Sequence, residues 1–223
     1  MNGHIAQKIA SIRQEIPQNV ELIAITKQVG IEPMREAYQA GVKNFGENRL
    51  QEALVKQAAL QDLADVSWHF IGHIQKNKAK KVIENFTWIH SLDSLSLAER
   101  INRLAKEMDL TPKVFLQVKP LPDPHKYGWE IGSLLQDLAQ LERFERLDIQ
   151  GLMTILPWGL SAMEASEAFK TVAQLARDIA LTNHARLSMP ELSMGMSGDY
   201  PLAIEAGTTQ IRLGRTIFGD RPK

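Results

Sequence analysis

The chain has 223 residues, 44% hydrophobic and 23% charged, with 26 basic side chains against 26 acidic ones and no cysteine. This is a globular composition, and its charge balance leaves no long-range field to draw nucleic acid or an anionic membrane surface. Without cysteine, disulfides, thiolate nucleophiles and thiolate-held metals are excluded. No apolar run approaches the length of a membrane span. The opening stretch MNGHIAQKIASIRQEI lacks a secretory signal's basic region followed by an apolar core. A cytoplasmic protein is expected.

Ile5, Ile9, Ile12 and Ile16 recur at helical spacing, and Pro17 ends that helix. ELIAIT (21–26) reads as a buried strand, with Lys27 directly after it. Pro33 suits the first turn of the next helix and Gly41 its C-terminal cap. KNFGEN (43–48) is a short strand with a turn, followed by a helix from Arg49 to about Ala64. WHFIG (68–72) is the third strand, and NKAKKVIEN lies in the helix after it. TWIHS (87–91) is the fourth, and Ser94 opens a helix with Leu97, Ile101, Leu104 and Met108 on one face. KVFLQV (113–118) precedes a proline-rich loop and a helix near 131–143. DIQGLMT (148–154) leads to a helix with Phe169, Val172, Leu175, Ala176 and Ile179 inward. ELSMGM (191–196), a short helix capped by Gly207, and TQIRLG (209–214) complete the pattern.

Eight strands separated by helices, with no hairpin signal, argue for parallel pairing through right-handed crossovers. Eight such units close into a (β/α)8 barrel, and strand count favours this α/β fold over a doubly wound open sheet. No linker or composition shift interrupts residues 1–223, so a single domain is expected.

In such barrels the chemistry sits where strands end and loops begin. The residues there are Lys27, Asn48, His73, Ser91, Lys119, Thr154, Ser197 and Gly214. A lysine directly after an apolar strand can be partly desolvated, which frees a neutral amine to attack a carbonyl. Position alone does not separate this from a lysine that extends its head into water.

The segments SMGMSGDYP and IRLGRTIFG add a second feature. Both are glycine-bearing turns leading toward helix starts, where backbone N–H groups form an anion nest at the usual phosphate position of this barrel. Ser197 can add a hydroxyl, and Gly214 lets backbone approach a ligand; the same glycines also suit plain tight turns. Together the two features describe a ligand with an aldehyde at one end and a phosphate at the other. Arg212, second-last in its strand, can point into the mouth beside the ligand's ring. Sites for pyridoxal 5′-phosphate place an Asp or an Arg against the pyridine nitrogen. An arginine keeps that nitrogen unprotonated and the ring a weaker electron sink. A structural ion pair is the alternative reading of Arg212.

ELIAITK, KNFGENRLQE, WHFIGHIQKNKAKK, HKYGWE, GLMTILP and MSGDYPLAIEAGTTQIRLGRTIFG, in that order over essentially the whole chain, resemble the pyridoxal phosphate homeostasis protein family. The resemblance implies a fold-type III barrel related to the N-terminal domain of alanine racemase. It implies pyridoxal 5′-phosphate held as a Schiff base on Lys27, with phosphate around Ser197, Gly214 and Arg215. Arg212 would face the pyridine nitrogen, and Asn48 would lie beside the cofactor. The implied role is vitamin B6 homeostasis and amino-acid and keto-acid balance without established catalysis. Leu156 stands where many members carry proline, and the loop at 120–124 departs from the common form; neither touches these contacts.

A small amino-acid racemase using the same lysine is the alternative. It needs two opposed acid/base groups, one on each face of the cofactor. The chain has three tyrosines, Tyr38 in a helix, Tyr127 in a loop and Tyr200 near the phosphate turn, and none is well placed for that task. An open mouth would instead let the cofactor pass to enzymes that lack it, so pyridoxal-phosphate-dependent apo-enzymes are the expected recipients. His69 and His73 straddle a strand end and do not make a metal pair. The basic run QKNKAKK reads as a solvated face, without the aromatics of a single-strand nucleic-acid site. The four tryptophans suit core or loop packing, and Met189, Met194 and Met196 suit filling of the barrel near the cofactor. A monomer is expected.

Overall fold

The computed structural model describes residues 4–182 and 184–220. The helix α1 (His4–Glu15) leads into β1 (Glu21–Ile25), α2 (Ile31–Gln39), β2 (Asn44–Glu47), α3 (Leu50–Ala59), β3 (Ser67–Phe70) and α4 (Ala79–Asn85). There follow β4 (Trp88–Leu92), α5 (Leu95–Glu107), β5 (Lys113–Lys119), β6 (Trp129–Glu130), α6 (Ile131–Leu141), β7 (Asp148–Met153) and α7 (Ala162–Ala180). The chain continues through β8 (Glu191–Met196), α8 (Tyr200–Glu205), β9 (Gln210–Leu213) and α9 (Arg215–Phe218).

Among the described residues the strands run in the order β4-β3-β2-β1-β9-β8-β7-β5, and a β4–β5 pairing closes the ring. Every pairing is parallel, so this is the closed eight-stranded barrel that strand count implied. The two-residue β6 hangs on the far edge of β5 through Val118↔Trp129 and is too short to leave a periodic trace in sequence.

Strand alternation assigns the two faces. Leu22 and Ala24 of β1 and Phe45 of β2 pack outward with Ile9 and Ile12 of α1 and Met34 and Ala37 of α2. The short α9 cannot cover its sector alone. α1 packs against α2 and α9, which explains why a helix precedes the first strand. On the opposite side α7 buries Phe169, Val172, Leu175, Ala176 and Ile179, the face its periodicity marked. Each such large side chain contributes about 1.5–3 kcal/mol on leaving water. The start of α7 is fixed by a capping box: Ser161 Oγ accepts from the Glu164 amide, and the Glu164 carboxylate accepts from the Ser161 amide.

Three local expectations are corrected. The helix expected to reach Ala64 ends at Ala59, where Leu60 turns into the core. The residues beyond are drawn to the neighbouring unit: Arg35 donates to both oxygens of Asp62, at 2.6 and 2.8 Å. Met189 and Met194 do not fill the lumen; both pack in the layer between strands and helices, Met194 because it shares the outward face of β8 with Leu192, and Met189 from the segment before that strand. Trp158 packs on nothing and is 92% exposed, whereas Trp68, Trp88 and Trp129 pack as expected. Among the described residues no helix is long and apolar enough to cross a membrane.

Candidate functional site

The residues singled out in sequence lie on four contiguous strands. Asn48 follows β2, Lys27 follows β1, Arg212 is on β9 with Gly214 and Arg215 after it, and Ser197 follows β8. Parallel pairing brings all their C-terminal ends to one rim, although the residues span 27 to 215 in the chain. Ser197 Oγ accepts from the Thr216 amide at 3.3 Å, which joins the loop after β8 to the loop after β9. Gly195 holds φ +91, and a Cβ there would meet the Tyr200 Cα at 2.9 Å, so only glycine lets α8 seat under the Ser197 loop.

Lys27 is half-buried, and the backbone on both sides of it is clamped. Lys56 Nζ donates to the Thr26 carbonyl at 2.6 Å, and the Gln28 amide donates to Glu52 Oε1 at 2.5 Å. Lys56 also donates to Glu52 at 2.6 Å and to Glu47 at 2.7 Å, so one ionic cluster grips both peptide groups. Thr26 Oγ1 donates to the same Glu47 oxygen at 2.5 Å, which turns Thr26 outward toward α3. Lys27 comes two residues after Ile25, the last residue of β1. Gln28 takes φ 62, a left-handed turn directly after the lysine.

Asn48 is set by close backbone contact. A Cβ at Gly72 would lie 2.2 Å from the Asn48 carbonyl oxygen, so the loop after β3 presses flat on the loop after β2. Ser91, inside β4, donates to the Gly72 carbonyl at 2.5 Å and holds that loop from the other side.

Arg212 lies inside the barrel and is 2% exposed. Its Nη1 donates to the Ser193 carbonyl at 2.6 Å and Oγ at 2.5 Å, and its Nη2 to the Thr154 carbonyl at 2.7 Å. No carboxylate lies within ion-pair distance of it among the described residues. The structural ion pair considered for it is therefore not there. Burial lowers its pKa to about 10, with Asp199 opposing, so the group stays cationic at neutral pH.

The rim also carries His73, marked in sequence as a strand-end position, with partners that sequence reasoning left aside. His73 Nδ1 bonds Asp93 Oδ2 at 2.8 Å, and Ser94 Oγ donates to the other carboxylate oxygen at 3.1 Å. Tyr127, expected only as a loop residue, stacks on the His73 ring with centroids 3.6 Å apart. A cavity of about 200 Å³ opens beside His73 and Asn48, with Arg49 and Lys78 on its wall. Tyr200 turns away, donating to Glu15 at 2.6 Å, a contact that pushes its pKa up to about 12. Glu47, Glu52 and Lys56 gave no warning, since charged residues in a helix or at a strand end usually face water. His69 and His90 gave one: each is the single ionisable residue of a short strand whose other members are large apolar residues and one serine.

These donors fit a small anionic aldehyde. An amine, a hydroxyl tied to a backbone amide, and a buried cation lie at the C-terminal ends of β1, β8 and β9, which are neighbours in the barrel. Such a cation fits a partner with a lone pair.

Residues 2–222 match the family model described as alanine racemase, N-terminal domain. The chain is 50% identical over 206 residues to the pyridoxal phosphate homeostasis protein of Synechocystis sp. (strain PCC 6803), covering 92% of this chain and 94% of that protein. The solved structure of PipY from Synechococcus elongatus PCC7942 with PLP bound superposes with a TM-score of 0.92 at 47% identity. That match covers 96% of this chain and all of the other. Alanine racemase of Clostridium difficile 630 shares the fold at 13% identity and a TM-score of 0.78, with 57% of its length covered.

Proposed function

Since the chain belongs to the pyridoxal phosphate homeostasis protein family, we propose that it binds pyridoxal 5′-phosphate at this rim and serves cofactor homeostasis rather than turnover. The observation that carries the reading is the gathering of Lys27, Asn48, Arg212 and Ser197 on four neighbouring strand ends. Lys27 supplies the amine for covalent attachment to the cofactor's aldehyde. Ser197 and the backbone of Gly214 and Arg215 hold the phosphate. Arg212 faces the ring nitrogen and, being cationic, leaves it unprotonated. Asn48 lines the ring. The bound cofactor supplies electron withdrawal, which an unprotonated ring supplies weakly.

The whole chain acts as one barrel, in the cytoplasm and as a monomer. The curated relatives are named for homeostasis, which supports a role in storing the cofactor and passing it to apo-enzymes. Purified protein saturated with pyridoxal 5′-phosphate should be yellow, and borohydride should fix the adduct on Lys27. Lys27→Ala should be colourless. Colourless wild-type protein without a cofactor-sized mass shift defeats the proposal.

A second reading, a small racemase, draws on the His73–Asp93 pair. A rim imidazole oriented by a buried carboxylate is a competent acid/base group. Loss of optical purity in L- or D-amino acids incubated with the loaded protein, abolished in His73→Gln, would favour it.

A further inference from the structure

The lumen of this barrel carries a buried polar line alongside the large branched side chains that are usual there. One line of hydrogen bonds crosses it. Arg212 Nη1 meets Ser193 Oγ at 2.5 Å, and Ser193 Oγ meets His90 Nδ1 at 2.8 Å. His90 Nε2 meets His69 Nδ1 at 2.9 Å, and His69 Nε2 meets Asn44 Oδ1 at 2.9 Å. Asn44 Nδ2 then meets Glu21 Oε1 at 2.7 Å. β4 and β8 are not neighbours in the sheet, so the His90–Ser193 bond spans the interior. Ser193, His90 and His69 are each fully buried, whereas Glu21 is exposed at the opposite end of the barrel.

The direction of every proton in this line follows from its two ends. A carboxylate only accepts, so Asn44 must turn its NH2 to Glu21 and its oxygen to His69. His69 then carries its proton on Nε2 and accepts at Nδ1. His90 must donate from Nε2 and accept at Nδ1. The same answer comes from the other end. A guanidinium only donates, so Ser193 Oγ accepts from Arg212 and passes its own proton to His90 Nδ1. Both imidazoles are neutral and of the same tautomer. Burial supports this by lowering His69 to about 3 and His90 well below its ordinary value.

The geometry points to Ser193, His90 and His69 as positioning residues for Arg212. Each bond aims its electron-rich atom toward the guanidinium. Aligned dipoles running from a cation to a distant carboxylate stabilise a buried charge that has no anion beside it. A carboxylate in contact would neutralise Arg212 and draw it away from the opening. The line instead leaves its charge available while fixing where the guanidinium points. This inference rests on the reading that Arg212 faces the cofactor's ring nitrogen.

Two measurements test it. In ¹⁵N-labelled protein without cofactor, long-range ¹H–¹⁵N spectra should show His69 and His90 neutral and protonated on Nε2 throughout ~pH 5–8. A ring protonated on Nδ1 overturns the inference. With pyridoxal 5′-phosphate bound, Ser193→Ala should shift the cofactor's absorption bands and speed its dissociation roughly fivefold. Ser193→Thr, which keeps the hydroxyl, should restore both. A Ser193→Ala protein that still forms the Lys27 adduct with an unchanged spectrum and off-rate also overturns the inference. If wild-type protein forms no adduct, the cofactor reading fails and the inference with it. If the adduct forms but the tautomers are wrong, the inference fails alone.

Discussion

Two buried cations lie near the same rim and are accommodated in opposite ways. Lys56, 6% exposed, touches two carboxylates and a carbonyl on the outer side of the wall. Arg212, 2% exposed, touches two carbonyls and one hydroxyl on the inner side. The first is a closed cluster with its charge spent on neighbours, and it shapes the backbone around Lys27. The second is held by neutral acceptors, with no carboxylate within ion-pair distance among the described residues. One cation finds its anions within the fold, and the other is held by neutral dipoles, as the proposed role of Arg212 toward a ligand requires.

The largest effect should come from breaking the closed cluster. Lys56→Met leaves Glu47, with its buried and unpartnered Oε2, as an uncompensated charge. A loss of about 3–5 kcal/mol in urea unfolding is expected, and Lys56→Met with Glu47→Leu should recover most of it. If the double variant is no more stable than the single, the outer cluster is not a compensated pair.

The inner network should show itself through pH. The folded state holds His69 neutral down to about 3, whereas an ordinary imidazole titrates near 6.5. Between those values the unfolded chain binds more protons. Stability from this group is therefore complete above about 6.5 and falls as pH drops toward 3. The limiting slope is about 1.4 kcal/mol per pH unit for each such group. Glu47, raised by burial, acts with the opposite sign in acid, so the useful quantity is the difference from His69→Gln. That variant should give a shallower line between ~pH 4.5 and 6.5 in urea midpoints. Parallel lines would contradict a neutral, buried His69.

Arg212→Met should cost less stability than Lys56→Met, about 1–2 kcal/mol, because the desolvation penalty of the cation departs with it. Cofactor affinity measured by spectral titration should fall at least about tenfold. Equal stability losses in the two variants would erase the contrast between the cations. The smallest effect is expected at Glu52→Ala, which frees the Gln28 amide. About 1 kcal/mol should be lost, with borohydride labelling of Lys27 slowed while the fold, read by near-UV circular dichroism, is kept.

The sequence by itself determined the sequence of strands and helices, because short apolar runs and 3.6-residue periodicity are local properties that survive in any context. It also marked Lys27, Asn48, Ser197 and Gly214, since their distinguishing feature is a place at the end of a strand. Only the tertiary structure decided what surrounds them. Lys56 reaches Thr26 across 30 positions, and His90 reaches Ser193 across 103. Such partners are chosen by barrel closure, which no window of neighbouring residues contains. The same closure decided that Met194 faces helices while Ser193 faces the lumen, because strand alternation fixes opposite faces but not which of them is inside.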